Sequence, residues 1–183
     1  MVLKAQEIFF SSNCPLTINI DHLVSGGAAW ADHIAVELYL KGLAPNLTLY
    51  LPCSFENGKY KDTGVFDFKT NPGGTLNYYH SLFSKKIGRN SLDDISRAIQ
   101  KGAKIEIKEG FFARNSSVAK SDCLLAFTFG DGPDVKPGGS LDTVTKWRKL
   151  HWSADPNRGF HVDLHSFDMY CLLEYDFQDN DTN

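Results

Sequence analysis

Segments with the apolar pattern of a β-strand alternate along the chain with segments whose apolar residues have helical spacing. This order predicts strands separated by helices. Residues 17–24 form a partly alternating run rich in β-branched side chains, and residues 47–51 form a short apolar run; both patterns are typical of strands. Between them, residues 28–41 carry apolar side chains at helical spacing, and Gly42 follows as a stop signal. A strand, helix and strand with short connections predict a βαβ unit with parallel strands.

The rest of the chain continues this alternation. Ser91 and the acids after it predict a helix that ends at Lys101. Further strands are predicted at residues 104–107, 123–129, 160–165 and 169–177, and further helices at residues 114–120 and 141–150. We therefore expect an α/β fold, namely a three-layer Rossmann-like arrangement with a mostly parallel central sheet. The expected organisation is one domain over residues 1–177, followed by an acidic, disordered tail at residues 178–183.

Composition narrows the class of protein. The 183 residues are 42% hydrophobic and 22% charged, which excludes a disordered, collagen-like or coiled-coil chain. A net charge of -3 disfavours general nucleic-acid binding, because phosphate backbones prefer basic surfaces. No apolar stretch approaches the roughly 18 residues that span a bilayer, so we expect no membrane partner.

The four cysteines are scattered, without the close spacing of a disulfide framework or a zinc knuckle; they are Cys14, Cys53, Cys123 and Cys171. The N-terminus lacks the apolar core of a secretory signal. These features predict a cytoplasmic protein with free, buried thiols and no cofactor.

Three loops that follow predicted strands carry candidate binding residues, since α/β folds bind ligands at the carboxyl ends of their strands. Gly26 and Gly27 stand between strand and helix, where the backbone approaches a ligand closely and helix amides favour phosphate. A second glycine pair lies in residues 137–143. Between these loops, Arg114 offers a bidentate cation for phosphate and Asn115 offers an amide for a sugar or base.

These motifs together resemble the SLOG superfamily, which includes the LOG-type phosphoribohydrolases and DprA-like proteins. Residues 24–32, V-S-G-G-A-A-W-A-D, are similar to its SGGAxGAD motif. An aliphatic strand ending at Pro52, a G-x-x-x-R-N element at residues 110–115 and a G-G-[ST]-x-x-T element ending at Thr143 follow in the family's order. The resemblance covers roughly residues 17–165 and implies a Rossmann-like nucleotide-binding protein.

The chain also departs from the SLOG pattern. We find no glycine-serine loop before Thr17, and Trp30 stands where the motif has its second glycine. Residues 55–109 look like a helical or loop insertion. Thr145 occupies the position of the glutamate that LOG enzymes use, so their N-glycosidic hydrolysis is not transferred to this chain. Asp142 and Glu109 are the carboxylates that would have to replace it.

The first functional hypothesis is a protein that binds a nucleotide or nucleotide-derived small molecule in a glycine-rich cleft. The candidate ligand-binding residues are Ser25, Gly26, Gly27, Ala28, Trp30, Asp32, Arg114, Asn115, Gly138, Gly139, Ser140 and Thr143. Hydrolysis of the N-glycosidic bond of a nucleoside 5′-monophosphate, with Asp142 or Glu109 as the catalytic carboxylate, stays open. The first alternative is a sensor or sequestering protein without turnover.

A second alternative is a metal-dependent hydrolase. His161, Asp163 and His165 alternate in sequence, so a strand over residues 160–165 would present all three on one face. Their other interpretation is the exposed face of the last core strand.

Several single residues also have two interpretations. Trp30 either stacks on a nucleobase or packs against the insertion. Asp32 either stabilises the helix N-terminus or accepts a ribose hydroxyl. His80 either covers the pocket as part of a lid or packs within the insertion.

The missing first strand suggests a two-fold homodimer, because exposed sheet edges and apolar flanks are usually covered. The surfaces expected to take part are residues 8–10 and 169–177. The alternative is that the C-terminal run folds back and covers the edge within one chain.

Overall fold

The computed structural model describes residues 1–10, 20–65, 67–129, 132–152 and 158–173, and these ranges contain six helices and eight strands. The chain is therefore a mixed α/β protein, as predicted. It divides into two compact units, residues 1–118 and residues 119–183, which we describe separately. The single domain predicted over residues 1–177 stays a prediction, and the predicted tail at residues 178–183 lies outside the described residues.

A three-stranded parallel sheet organises the first unit. Its elements in chain order are α1 (Val2–Phe10), β1 (His22–Ser25), α2 (His33–Leu40), β2 (Asn46–Leu51), β3 (Phe55–Glu56), β4 (Lys59–Tyr60), α3 (Pro72–Ile87), α4 (Ser91–Lys101), β5 (Lys104–Ile107) and α5 (Gly110–Val118). The sheet has the order β1-β2-β5, and both strand pairs are parallel. Because α2 connects β1 with β2, the predicted βαβ unit is confirmed.

The helix α2 begins five residues later than the pattern suggested. Residues 28–32 form a turn, in which Trp30 has a left-handed backbone with φ of 66°. The turn is closed because the Ala28 amide donates to Oδ2 of Asp32 over 3.2 Å. The segment 28–41, which has helical apolar spacing throughout, therefore contains a turn followed by a helix.

The helix α4 has the bounds that the sequence predicts, although its cap is one residue earlier. Oδ1 of Asn90 accepts a hydrogen bond from the Leu92 amide at 3.1 Å, so Ser91 is the first helical residue. Gly102, with φ of 113°, ends the helix in the left-handed conformation that glycine adopts without strain.

The sequence analysis did not predict α3. Its signals are local: Oδ1 of Asn71 accepts from the Gly74 amide at 3.0 Å, Pro72 occupies the first turn, and Gly88 ends the helix with φ of 71°. Cap, proline and terminal glycine mark a helix even where apolar periodicity is weak. Residues 55–109, which the sequence analysis predicts to be an insertion and which we call the inserted segment, begin with the antiparallel hairpin β3–β4 and continue through α3, α4 and β5.

The second unit contains β6 (Leu124–Thr128), α6 (Gly139–His151), β7 (Gly159–Asp163) and β8 (Met169–Cys171). β6 and β7 are parallel, and β8 pairs antiparallel with β7. Trp147 of α6 is fully buried and packs in the core of this unit with Val144 and Leu172.

Two observations bear on the surfaces expected in a dimer. Residues 169–171 pair with β7 of their own chain, and Ile8 is buried within the chain. The side chains of Phe9 and Phe10, and residues 174–177, lie outside the described part. The dimer stays a prediction. In the described ranges, no helix has the length and apolar character needed to cross a membrane.

Candidate functional site

The first glycine turn, residues 25–28, follows β1 and is closed by hydrogen bonds within the chain. Oγ of Ser25 donates to the Asp32 carbonyl at 2.7 Å and accepts from the Gly27 amide at 3.2 Å. The Ala28 amide donates to the Asp32 carboxylate. Two of the amides that the sequence suggests for phosphate are therefore already paired within the turn.

Both glycines of this turn are required by close packing. A Cβ on Gly26 would lie 2.0 Å from Nη1 of Arg114, and a Cβ on Gly27 would lie 2.4 Å from Cδ2 of Leu51. Gly27 also has a φ of 68°, a conformation that is costly for other residues. The space that the two glycines leave open is thus filled by side chains of the protein, those of Arg114, Leu51 and Tyr60.

Arg114 of α5 meets the first glycine turn. Its Nη1 donates to the Gly26 carbonyl at 3.1 Å and to Oδ2 of Asp32 at 2.6 Å, and its Nε donates to Oδ1 of Asn115 at 3.0 Å. Arg114 and Asn115 are both buried. Among the described residues, Nη2 of Arg114 has no hydrogen-bond partner, so the guanidinium is fixed through two of its three nitrogens.

Asp32 lies at the centre of this arrangement. It precedes α2 but makes no side-chain cap hydrogen bond to that helix. Instead its carboxylate holds both Arg114 and the Ala28 amide. The carboxylate of Asp32 therefore closes the turn before α2. Its predicted electrostatic effect on the helix N-terminus and its alternative contact with a ribose hydroxyl stay predictions.

Trp30 packs against the inserted segment while part of its side chain stays at the surface. Its ring lies 5.0 Å from that of Phe83 in α3, at an interplanar angle of 50°. The residue is 39% exposed. Trp30 thus makes the contact with the insertion that one of its two interpretations requires, and it also keeps an exposed ring surface.

Two side chains of the insertion hold the carbonyl of Gly27. The Tyr60 hydroxyl donates to it at 2.5 Å, and Nε2 of His80 lies 3.1 Å from it. Both residues are fully buried, so His80 packs within the insertion and does not form a lid. Burial lowers the pKa of His80 and raises the pKa of Tyr60. Sequence reasoning missed Tyr60, since nothing in the sequence connects it with Gly27.

A mixed cluster of ionisable residues lies close to the turn, in α2 and α4. Nε2 of His33 is 3.3 Å from Oδ2 of Asp94 and 3.8 Å from Oε1 of Glu37. The three side chains have the spacing of a metal site. However, Arg89 pairs with both carboxylates, and Arg97 also pairs with Asp94.

The charges of this cluster are therefore balanced by two guanidinium groups. A divalent cation would add two further positive charges beside the arginines, which favours an ion-pair network over a metal site. Burial lowers the pKa of His33 to about 4, so the imidazole is neutral at pH 7.

The second glycine loop lies in the second unit, at the start of α6. Gly138 precedes the helix with φ of 140° and is exposed, as is Gly139. Oγ1 of Thr143 donates back to the Gly139 carbonyl at 3.0 Å, and Asp142 pairs with Lys146 at 2.7 Å. Ser140 is half-buried.

The structure thus brings some predicted site residues together within the first unit; these are Ser25, Gly26, Gly27, Ala28, Trp30, Asp32, Arg114 and Asn115. Glu109 is exposed and immediately precedes α5 in the same unit. Convergence of the two glycine loops on one cleft, and participation of Asp142 or Glu109 in catalysis, stay predictions.

The proposed metal ligands of the second unit do not share a strand face. β7 ends at Asp163, and His165 lies in the following turn, where its amide donates to Oδ1 of Asp163 at 2.9 Å. His161 lies 2.8 Å from Oγ1 of Thr128 through Nε2 and 3.2 Å from the Pro133 carbonyl through Nδ1. Both ring nitrogens of His161 are thus engaged, and the strand arrangement expected for a metal site is wrong.

Comparisons with known proteins identify one relative. The chain is 45% identical over 144 residues to "Uncharacterized protein R261" of Acanthamoeba polyphaga mimivirus. The aligned region covers 78% of this chain and 72% of the mimivirus protein. No protein-family model and no solved structure matches the chain. At this identity and coverage, the chain belongs to the same family as the mimivirus protein R261.

Proposed function

We propose that the protein is a divergent member of the SLOG superfamily, with a three-layer Rossmann-like fold, that binds a nucleotide or nucleotide-derived small molecule. The parallel order β1-β2-β5 and the glycine turn after β1 support this proposal. Ligands of open α/β sheets bind beyond the carboxyl ends of such strands. A cytoplasmic location and a homodimer stay predictions from the sequence.

The observation that carries the proposal is the fixed guanidinium of Arg114. Asp32 and the Gly26 carbonyl orient its Nη1, and Asn115 orients its Nε. A guanidinium whose side chain is already ordered loses little entropy on binding and matches the geometry of a phosphate oxygen. Nη2 is the nitrogen that we assign to the phosphate.

The base of the nucleotide is assigned to Trp30. Trp30 is partly exposed, and its ring lies 5.0 Å from that of Phe83. An indole that is supported by a second aromatic ring presents a stacking surface to any nucleobase. This interpretation favours a base-containing nucleotide over a simple sugar phosphate.

Binding without turnover is the form of the proposal that the geometry favours. The carboxylate of Asp142 is paired with Lys146, and that of Asp32 is paired with Arg114. Thr145 stands at the position where the LOG enzymes have their glutamate. We therefore propose a nucleotide sensor or sequestering protein, with N-glycosidic hydrolysis as the competing outcome.

The experiment uses the purified 183-residue chain and three ligands: AMP, adenosine and ribose 5-phosphate. Isothermal titration should give the tightest binding for AMP, because only AMP offers both a phosphate and a base. Chromatography of the same samples after prolonged incubation should show no free adenine. Release of adenine would establish hydrolysis instead, and absence of binding for a wider panel of nucleotides would reject the proposal.

A further inference from the structure

The carbonyl of Gly27 accepts two hydrogen bonds from the inserted segment. One comes from the Tyr60 hydroxyl at 2.5 Å and the other from Nε2 of His80 at 3.1 Å. A carbonyl oxygen has two lone pairs, so these two donors fill its acceptor capacity. Both side chains are fully buried, which means that neither reaches a ligand itself.

The tautomer of His80 follows from its neighbours. A carbonyl cannot donate a proton, so Nε2 of His80 must carry the hydrogen that it shares with Gly27. Burial lowers the pKa of His80, so the ring is neutral at pH 7 and Nδ1, which keeps a lone pair, lies 2.9 Å from Oγ of Ser91. The Ser91 hydroxyl therefore donates to Nδ1. His80 is held as a neutral imidazole whose donor points at the glycine turn.

Tyr60 is held just as firmly. Its amide donates to Oδ1 of Asn77 at 3.0 Å, and its carbonyl accepts from Nδ2 of Asn77 at 2.9 Å. The amide side chain of Asn77 in α3 therefore pairs with β4 as a neighbouring strand would. The ring of Tyr60 also stacks on that of His80, with 5.8 Å between the centroids.

The two donors fix more than one carbonyl. In a trans peptide the carbonyl and the following amide point in opposite directions, so holding the Gly27 oxygen also aims the Ala28 amide. That amide donates to Oδ2 of Asp32, and the same oxygen accepts from Nη1 of Arg114. A continuous chain of contacts thus runs from the insertion, through one peptide plane and one carboxylate, to the guanidinium.

We propose that Tyr60 and His80 are positioning residues, through which the inserted segment sets the orientation of Arg114 for a phosphate group. The inserted segment is in that case an integral part of the binding site. This inference rests on the proposed function, because the phosphate contact of Arg114 belongs to it. The hydrogen-bonded chain itself exists without a ligand and is tested without one.

The test compares Tyr60→Phe with Tyr39→Phe. Tyr39 is a matched control, because it is also buried and also donates its hydroxyl to a backbone carbonyl, that of Lys101 at 3.1 Å. We expect Tyr60→Phe to weaken AMP binding about ten-fold, the effect of losing one good hydrogen bond. Adenosine affinity should change less than about two-fold, because adenosine lacks the phosphate.

Amide hydrogen exchange of Ala28, measured by NMR on the ligand-free protein, provides the second measurement. Tyr60→Phe should accelerate this exchange about ten-fold by freeing the peptide plane, while Tyr39→Phe should leave it unchanged. If Tyr60→Phe fails to fold, His80→Leu removes the second donor. His80→Gln should then restore AMP affinity, because its amide can donate to Gly27.

The outcomes separate this inference from the proposed function. If the parent protein binds no nucleotide, the proposed function fails, and Ala28 exchange alone decides whether the insertion holds the turn. Unchanged exchange in Tyr60→Phe would overturn the positioning role in either case. Equal losses of AMP affinity in Tyr60→Phe and Tyr39→Phe, or equal losses for AMP and adenosine, would likewise overturn it.

Discussion

The two glycine pairs of this protein look alike in sequence, and each contains a glycine with positive φ, but they differ in burial and packing. Gly26 and Gly27 are buried, and added Cβ atoms would collide with side chains. Gly138 is exposed, and an added Cβ would meet no atom within 4 Å. The first pair is needed because the protein packs tightly there, whereas at Gly138 only the backbone conformation favours glycine.

This difference changes what a glycine-rich loop implies. A Gly-Gly sequence before a helix suggests free amides for an anion. In the first turn, however, the Gly27 and Ala28 amides are bound to Ser25 and Asp32. The turn therefore acts as a rigid support for Arg114, and any phosphate contact of the first unit depends on the guanidinium more than on these two amides.

The largest expected effect separates the two glycine pairs directly. Gly27→Ala should destabilise the protein by about 4 kcal/mol, of which about 3 come from overpacking against Leu51 and Tyr60 and about 1 from the left-handed backbone. Gly138→Ala should cost about 1–2 kcal/mol, from its backbone conformation alone. Urea unfolding of both variants measures the difference. Equal costs would contradict the distinction.

The second-largest expected effect is a loss of folding stability in acid, caused by the buried histidines His33 and His80 close to the first glycine turn. The pKa of His33 is about 4 in the folded protein against 6.5 when unperturbed, and burial lowers the pKa of His80 as well. The unfolded chain therefore binds protons between pH 6.5 and 4 that the folded chain does not. The contribution of His33 to the free energy of unfolding is therefore fully present above pH 6.5. It is lost as the pH falls toward 4, by about 3 kcal/mol in total.

Urea unfolding at pH 7, 6, 5 and 4.5 measures this dependence. Replacing His33 with Gln should flatten the curve, because a glutamine side chain does not titrate in this pH range. A slope that His33→Gln does not alter would show that its imidazole is not buried in the neutral form.

The sequence predicted repeating elements better than the contacts that build the site. The predicted bounds of α4 and β5 agree with the structure: Gly102 ends α4, and charged and apolar residues alternate along β5. The predicted start of α2 was wrong, because apolar spacing cannot distinguish a helix from a turn that Asp32 closes.

Contacts between residues far apart in the chain were harder to predict from the sequence than helix bounds. The contact of Arg114 with Gly26 joins residues 88 positions apart. The expected position of both loops at the carboxyl ends of strands, together with the family resemblance, suggested that they lie close, but neither predicted this hydrogen bond. Tyr60 has no sequence signal, because its role depends on where a hairpin of the insertion lies relative to Gly27.

The third effect concerns ligand affinity. Arg114→Ala should weaken AMP binding by about 2 kcal/mol, the contribution of a charge-assisted hydrogen bond, and should leave adenosine binding nearly unchanged. Arg89→Ala is the control, since Arg89 is also paired with carboxylates of the first unit. Isothermal titration with both ligands measures the difference. Equal losses for AMP and adenosine would assign Arg114 a purely structural role.

The smallest effect compares the acids of the two loops. Asp142 forms an i, i+4 pair with Lys146 in the first turn of α6, and a quarter of its side chain is exposed. Such pairs contribute about 0.5 kcal/mol, so Asp142→Asn should hardly change the unfolding midpoint. Asp32→Asn should cost more, because it leaves the buried guanidinium of Arg114 without its countercharge.

The same Asp142→Asn variant also tests the remaining catalytic alternative. If the protein releases adenine from AMP and Asp142 supplies the carboxylate, the variant should lose turnover while keeping its stability and its AMP affinity. Retained turnover would exclude Asp142 and direct attention to Glu109, which is exposed at the start of α5. A large loss of stability in Asp142→Asn would contradict the comparison itself, because the second loop would then depend on a buried network as the first does.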